Sequence, residues 1–578
     1  MLVQDEPARA AVSRRPLLPL PSSPLACLPL LWQRVLFPGQ PAHEPVRRRW
    51  LIPLLIFVVP AVLLYPCLAF HLFEPDEGRY AEIPREMLQR GEWVVPYLQG
   101  EPYLDKPPLL YWLVMISYRL FGVNEAAARL VPALAVHGGI LTAFLLGRRS
   151  LGERAALAGG LALALAPGYI GIGRLLLMDG LLTFLLTLAL LSAFEAVRAP
   201  RLRWGWWLLA AAACGLGVLT KGPVAVLLLL PPLWLHRRLC MEACAVCAGA
   251  LLAFAAVVLA VALPWYVAVC GRLPEFARHF LWEHNVLRFF KPFDHLQPIW
   301  FYVPVLLLGL FPATLLLPGL LRFLCTAAPA AARRRCPELG FLLLAGGWCV
   351  LFFSLSGSKL PTYVLPAFPP LALAAGSYLA NSSWQTSRLP AVLAAVMFAL
   401  LGVGHHLVVP WYACYRSPMS RPEEVRALLR DPHAPVVCYP RNVDSLAFYL
   451  GRDDLRNVRS RDIEELRWVV RQQRRTVVLC THRSSLRGLR QALPPEVRIV
   501  EEKHFGLEPI PGLPASVSKG LVKLAGETPF GLCDIAVIEM RAPAGSLQHA
   551  HPKPRGESAS PAGERPAAPG ASRSGSAE

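Results

Sequence analysis

Charge is what this 578-residue sequence has least of: Asp, Glu, Lys and Arg make up only 17% of it, where a soluble domain carries roughly a quarter. That shortage excludes a water-facing globular surface for most of the chain. Acids are scarcer still than bases, 39 against 58, for a formal charge of +19. Nucleic acid is not implied, because the chain lacks an aromatic-and-basic groove on which bases would stack. Internal repeats are absent too, and 412–545 holds no glycine-rich phosphate loop. The 14 cysteines build no framework. Cys214, Cys244, Cys247 and Cys349 sit in apolar runs as small hydrophobes, and the CxxC spacing of Cys244 and Cys247 has no second pair. Cys414, Cys438, Cys480 and Cys533 fall in the polar C-terminal part, where a disulfide stays open. No cleavable leader is expected, since Pro16, Pro19, Pro21, Pro24 and Pro29 interrupt the early apolar stretch. Residues 1–46 are therefore read as a flexible cytoplasmic extension.

What is abundant is apolar sequence. Runs of membrane-spanning length, about 20 residues, recur at 50–70, 126–147, 153–172, 176–197, 205–219, 223–236, 243–268, 298–321, 339–355, 362–380 and 389–411. The chain thus reads as an α-helical polytopic membrane protein with about eleven spans. Arginines mark alternate connections: Arg47–Arg49, Arg148, Arg149, Arg154, Arg198, Arg201, Arg203, Arg237, Arg238 and Arg333–Arg335. The positive-inside rule assigns those to the cytoplasm. The remaining connections, 71–106, 169–175, 220–222, 271–297 and 356–361, then face outward, as does everything after 411. Trp265, Tyr266, Trp300, Tyr302, Trp411 and Tyr412 stand at outer span ends.

The first outer loop, 71–125, carries Leu109 to Phe121, an apolar and aromatic run too short to cross and suited to a helix in the interface. In 412–545, apolar strand-like runs (436–439, 476–479, 534–539) alternate with charged helical stretches (421–430, 461–473), which predicts a small α/β outer domain. Residues 546–578, rich in Pro, Gly, Ser and Ala, are read as a disordered tail.

Candidate chemistry gathers on the outward side. Asp76 and Glu77 stand just past the first span, where adjacent carboxylates position an acceptor, bind a divalent cation or act as a base; equally, they start a helix in a solvated loop. Asp179 lies in the outer part of the fourth span, where an acid is costly; it is either functional or paired with Arg174. Four outer connections, which should be poor in bases, each carry a basic residue: Lys106, Lys221, Arg288 and Lys359, with Tyr363 close behind. Either each snorkels to the headgroups, or together they converge on a lipid phosphate. A lipid or solute transporter and a membrane anchor for the outer domain are the rival classes. Transporters, though, place substrate groups near the midplane between paired repeats.

The stretches Asp76-Glu77-Gly78-Arg79-Tyr80-Ala81-Glu82-Ile83 and Tyr103-Leu104-Asp105-Lys106-Pro107-Pro108-Leu109-Leu110-Tyr111-Trp112 closely resemble the lipid A 4-amino-4-deoxy-L-arabinose transferases. Those are GT-C glycosyltransferases, akin to the protein O-mannosyltransferases. The resemblance continues through Leu219–Pro223, Glu283–Phe289, Trp300–Val305 and Ser358–Tyr363, in order over about 50–380. It implies a GT-C fold with an outer cavity in the inner (plasma) membrane of a bacterium. It implies a sugar donor on a polyprenyl (undecaprenyl) phosphate, and as acceptor lipid A, a related envelope glycolipid or a protein hydroxyl. By motif, Asp76 matches the essential first-loop aspartate and Asp179 the second acid. Lys106, Arg288 and Tyr363 match donor-phosphate residues, with Lys221 a further cation near it. Arg79, Tyr80 and Asp105 fall in the sugar and acceptor region. A divalent metal is the one cofactor implied, with Asp76 and Glu77 as candidate ligands. Two departures bear on the substrate: Asp105 stands where close relatives have Glu, and Pro84 is expected to interrupt the helix after Asp76.

Overall fold

In the computed structural model the described residues are 47–239, 246–291, 295–326, 335–417, 419, 421–431, 433–440, 442–458, 462–480, 483–505, 514, 516 and 533–540. The expected extension 1–46, the tail 546–578, Cys244 and the arginines 333–334 lie outside them.

Helices lie within every expected span, although the first ends at Leu64, short of the expected 70. Six helices are long and apolar enough to cross a membrane, or eight if two bent pairs each count as one span. The bends are 64° between Glu153–Ala164 and Pro167–Gly173, and 106° between Ile299–Gly309 and Ala313–Cys325. Pro167 and Pro312 stand at the two breaks, where a missing N–H ends the ladder of the preceding helix. Three further helices, Arg47–Leu64, Trp204–Lys221 and Val224–Leu239, complete the bundle.

The bundle has two chemically distinct ends. Helix Met178–Val197 carries Asp179 in its first turn and Glu195 in its last, roughly 24 Å apart at 1.5 Å per residue. Arg149, Arg198 and Arg203 converge on the buried Glu195 at 3.6, 3.1 and 3.2 Å. Asp179 instead meets Lys221, the last residue of the neighbouring Trp204–Lys221 helix. The connections that carry Arg149, Arg198 and Arg203 therefore lie at the end of this helix opposite to Asp179 and Lys221.

The first loop folds as two helices, Asp76–Arg90 and Leu109–Phe121, linked by a hairpin of β1 (Tyr97–Leu98) and β2 (Glu101–Pro102). Helix Asp76–Arg90 runs straight through Pro84, contrary to the expected interruption. Pro84 is buried within it. Tyr80, Ile83 and Met87 on that helix pack against Leu110, Tyr111 and Val114 on the next. Trp265, expected in an interfacial belt, is buried against this loop and donates to the Val94 carbonyl at 2.8 Å.

The C-terminal part forms a five-stranded sheet in the order β4-β3-β5-β7-β6: β3 Val436–Tyr439, β4 Arg456–Asn457, β5 Arg475–Cys480, β6 Val497–Phe505 and β7 Cys533–Met540. The three apolar runs read from the sequence are β3, β5 and β7. All four residues of β3 are buried because both faces of the sheet are covered. Val436 and Cys438 face one core, Val437 and Tyr439 the other. Cys480 joins the second core, so Cys438 and Cys480 lie on opposite faces and do not pair; both are free, as is Cys414. Helix Asp444–Leu450 of this domain packs on helix Asp76–Arg90 of the first loop.

Candidate functional site

Asp76 and Glu77 occupy the first turn of one helix, where the dipole favours carboxylates, yet they do different work. Neighbouring helical residues point about 100° apart, and here one points in and one out. Glu77 is buried and accepts four hydrogen bonds: from Arg129 Nε and Nη2, each at 2.8 Å, and from the backbone N–H of Phe73 and Leu176 at 3.0 and 2.8 Å. Arg129 in turn spends its other donors on the carbonyls of Leu68, Phe70 and His71. Both carboxylate oxygens of Glu77 are thus taken, and the expectation that Asp76 and Glu77 share a cation does not fit this arrangement. The Asp76 side chain stays 47% exposed, with Arg79 Nη1 3.7 Å from its Oδ1. Tyr80, one turn on, is buried where its hydroxyl feels both Asp76 and Asp179.

Asp179 accepts from Lys221 Nζ at 2.6 Å. The alternative partner, Arg174, is elsewhere: its guanidinium donates to the carbonyls of Leu63, Leu64, Pro66, Cys67 and His405, capping the end of the first span. Lys221 also lies 4.5 Å from the centroid of the Tyr363 ring. Gly222 turns the chain just after it with φ +86°, and a Cβ there would stand 2.8 Å from the Phe280 ring. Only glycine both takes that conformation and lets the aromatic segment approach.

Lys106 Nζ donates to His284 Nε2 at 2.6 Å and to the Asp105 carbonyl at 3.1 Å. Arg288 Nη1 reaches the same His284 nitrogen at 3.3 Å. Burial pushes the Lys106 ammonium down to about 7, and the nearby charges of Lys221, Arg288 and Arg79 add to this against Asp105. Lys106 and Arg288, from separate connections, therefore meet at one nitrogen, and Lys221 is near enough to add to the field at Lys106. Lys359 is set apart. It is only 4% exposed, and its ammonium donates to the carbonyls of Gln297 (3.0 Å) and Ser356. Its backbone N–H bonds the His295 carbonyl at 3.0 Å, so the residue pins the 295–297 strand of chain.

Two residues at the centre escaped the sequence reading. His279 Nε2 bonds Asp105 Oδ1 at 2.9 Å, and His284 Nδ1 lies 4.0 Å from the same oxygen. In an α-helix, residues five apart point about 140° from each other. The segment Ala277–Leu287 is a π-helix, whose i→i+5 bonds bring them to one side. No feature of the residue spacing announces that. Although burial pushes the Asp105 carboxyl up, the bond from His279 and the neighbouring His284 and Lys106 side chains hold it well below the usual range. Burial, then Lys106, push His284 down to about 3, leaving it neutral. Ligand atoms of Asp105, His279 and His284 lie within 4.8 Å of one another. One carboxylate and two imidazoles suit a zinc-like divalent cation better than magnesium.

Residues 105–267 match the family model described as dolichyl-phosphate-mannose-protein mannosyltransferase; Asp105, Lys106, Asp179 and Lys221 fall inside that stretch. The undecaprenyl phosphate-alpha-4-amino-4-deoxy-L-arabinose arabinosyl transferase 1 of Pseudomonas fluorescens strain Pf0-1 is 35% identical over 384 residues, 63% of each chain. The corresponding transferase of Edwardsiella ictaluri is 35% identical over 356 residues, 59% of this chain and 62% of that one. The matches thus span less than two thirds of these relatives' length. The crystal structure of ArnT from Cupriavidus metallidurans bound to undecaprenyl phosphate aligns with TM-score 0.66 at 22% identity, covering 86% of this chain and 98% of that one. This chain is a polytopic membrane protein of GT-C fold, similar in sequence to the undecaprenyl phosphate-aminoarabinose arabinosyl transferases.

Proposed function

We propose that this protein is an inverting glycosyltransferase that moves a sugar of the 4-amino-4-deoxy-L-arabinose type from undecaprenyl phosphate to lipid A or a related envelope glycolipid. The convergence of Lys106, Lys221 and Arg288 beside Asp179 and Tyr363 carries the reading. Isolated cations at the end of the bundle opposite the arginine-marked connections suit a lipid phosphate at a bilayer edge. The names of the similar transferases supply the donor and sugar. Under the positive-inside rule the site and the C-terminal domain face the periplasm of a bacterial inner membrane.

The reaction is a single displacement at the sugar C1. An acceptor oxygen forms the new bond, the C1–O bond to the phosphate breaks, and its electron pair leaves on the phosphate. Charge grows on that phosphate in the transition state, and cations fixed in advance lower the barrier. Lys106 and Arg288 are steadied through the shared nitrogen of neutral His284, and Lys221 through Asp179. Asp76 faces outward for the acceptor: it takes the proton of a hydroxyl acceptor, or orients a phosphate acceptor that needs no base. Glu77 holds the helix that presents Asp76, and Lys359 anchors the chain leading from Arg288. A divalent cation on Asp105, His279 and His284 would add positive charge beside the phosphate.

The match to a protein mannosyltransferase family model favours a protein hydroxyl as the second acceptor class. Mass spectrometry of lipid A and of envelope proteins, with and without the protein, separates the two. A pentosamine on lipid A supports the proposal; a hexose on protein alone, or no change in either, contradicts it.

A further inference from the structure

We propose that the C-terminal domain completes the site: Asp444 is a positioning residue that fixes the Arg79 guanidinium beside Asp76. The inference rests on the glycosyltransferase reading and gives the domain its part in it.

Asp444 opens helix Asp444–Leu450 and is fully buried where that helix meets the first loop. Its Oδ2 lies 3.6 Å from Arg79 Nε, and its Oδ1 accepts from Gln99 Nε2 at 3.3 Å. The other end of the same guanidinium lies 3.7 Å from Asp76. Arg79 also stands 6.0 Å from the Tyr103 ring centroid and contributes to the field at Lys106. One arginine thus spans a carboxylate of the C-terminal domain and the accessible carboxylate of the site.

The approach is built for that contact. Ser445 N–H donates to Glu74 Oε1 at 2.6 Å, and Tyr449 Oη accepts from the Leu72 N–H at 2.8 Å. A Cβ on Gly78 would lie 2.6 Å from Ser445 N and 2.8 Å from the Glu74 carboxylate. Gly78, inside the Asp76–Tyr80 motif, is the residue whose missing side chain admits the domain. Docking alone needs no buried carboxylate, because Phe448 already packs on Tyr118 with ring centroids 6.3 Å apart. Burying an acid costs several kcal/mol unless it is paired, and the cation Asp444 pairs with is the one beside Asp76.

The test uses the full chain, purified in detergent, with wild type, Asp444→Asn, Asp444→Glu and Gly78→Ala. Transfer kinetics, binding of undecaprenyl phosphate and protease sensitivity of the C-terminal domain are measured for each. Asp444→Asn is expected to lower kcat/KM for the acceptor about tenfold, with undecaprenyl phosphate binding unchanged and the domain still protected. Asp444→Glu is expected to recover part of that loss. Gly78→Ala is expected to expose the domain to protease and reduce acceptor use in the same way. Wild-type acceptor kinetics in a folded Asp444→Asn, or in Gly78→Ala with the domain released, overturn the proposal. Absence of transfer by the wild type instead overturns the glycosyltransferase reading.

Discussion

The ammonium of Lys221 lies 2.6 Å from the carboxylate of Asp179, and the Tyr363 ring lies beneath the same nitrogen at 4.5 Å. An acid beside a phosphate-binding cation weakens ground-state attraction for an anion while holding the cation in place. Asp179→Asn is therefore expected to leave the KM for the donor unchanged or lower it, while kcat falls at least tenfold. Lys221→Ala is expected to raise KM as well as lower kcat. Steady-state kinetics with a polyprenyl-phosphate sugar checks both. A raised KM with intact kcat in Asp179→Asn contradicts the assignment.

Arg129 and Glu77 form the buried pair under Asp76. Removing one partner strands a charge, so Arg129→Met is expected to destabilise the fold by about 3–5 kcal/mol. The double variant Arg129→Met/Glu77→Gln is expected to regain part of that loss. Thermal unfolding in detergent measures both, and a single variant as stable as wild type contradicts the structural role of Glu77.

Burial, followed by the neighbouring Asp444 carboxylate, pushes Glu74 from 4.5 up to about 8, against the hydrogen bonds from Ser445 and then the charge of Arg79. The docked domain therefore keeps a proton on Glu74 that the undocked form releases above its ordinary value. Docking stability is fully present below about pH 4.5 and declines as pH rises through about 8. Protease sensitivity of the C-terminal domain is expected to increase over that window and to depend less steeply on pH in Glu74→Gln, where the buried Asp444 alone remains raised. Sensitivity that falls as pH rises contradicts it.

The Asp105, His279 and His284 cluster is expected to bind zinc in preference to magnesium. Calorimetric titration of metal-stripped protein is expected to show one zinc site that is lost in the Asp105→Ala/His279→Ala variant. Equal zinc binding by that variant, or none by the wild type, excludes the cluster as a metal site.

The apolar helices and the C-terminal sheet were legible because hydropathy is a local signal, and Asp76, Lys106, Asp179, Lys221 and Arg288 could be singled out because misplaced charge is local too. Partners were not. Glu77 looked like Asp76 in sequence, and only the position of Arg129, 52 residues away, distinguishes them. Lys359 looked like the other isolated cations, but backbone carbonyls, which carry no sequence signature, absorb its charge. His279 and His284 fall together only because the segment winds as a π-helix. Asp444 reaches Arg79 across 365 positions through a domain whose docking the sequence does not encode locally.

The most direct measurement is transfer from a polyprenyl-phosphate sugar by purified wild type, Lys106→Ala and Arg288→Ala. The wild type is expected to transfer the sugar with inversion at C1. Each variant is expected to lose about 100- to 1,000-fold in kcat, the cost of about 2.7–4 kcal/mol of lost transition-state stabilisation. Transfer at the wild-type rate by both variants, from protein that folds normally, would show that the phosphate is held elsewhere.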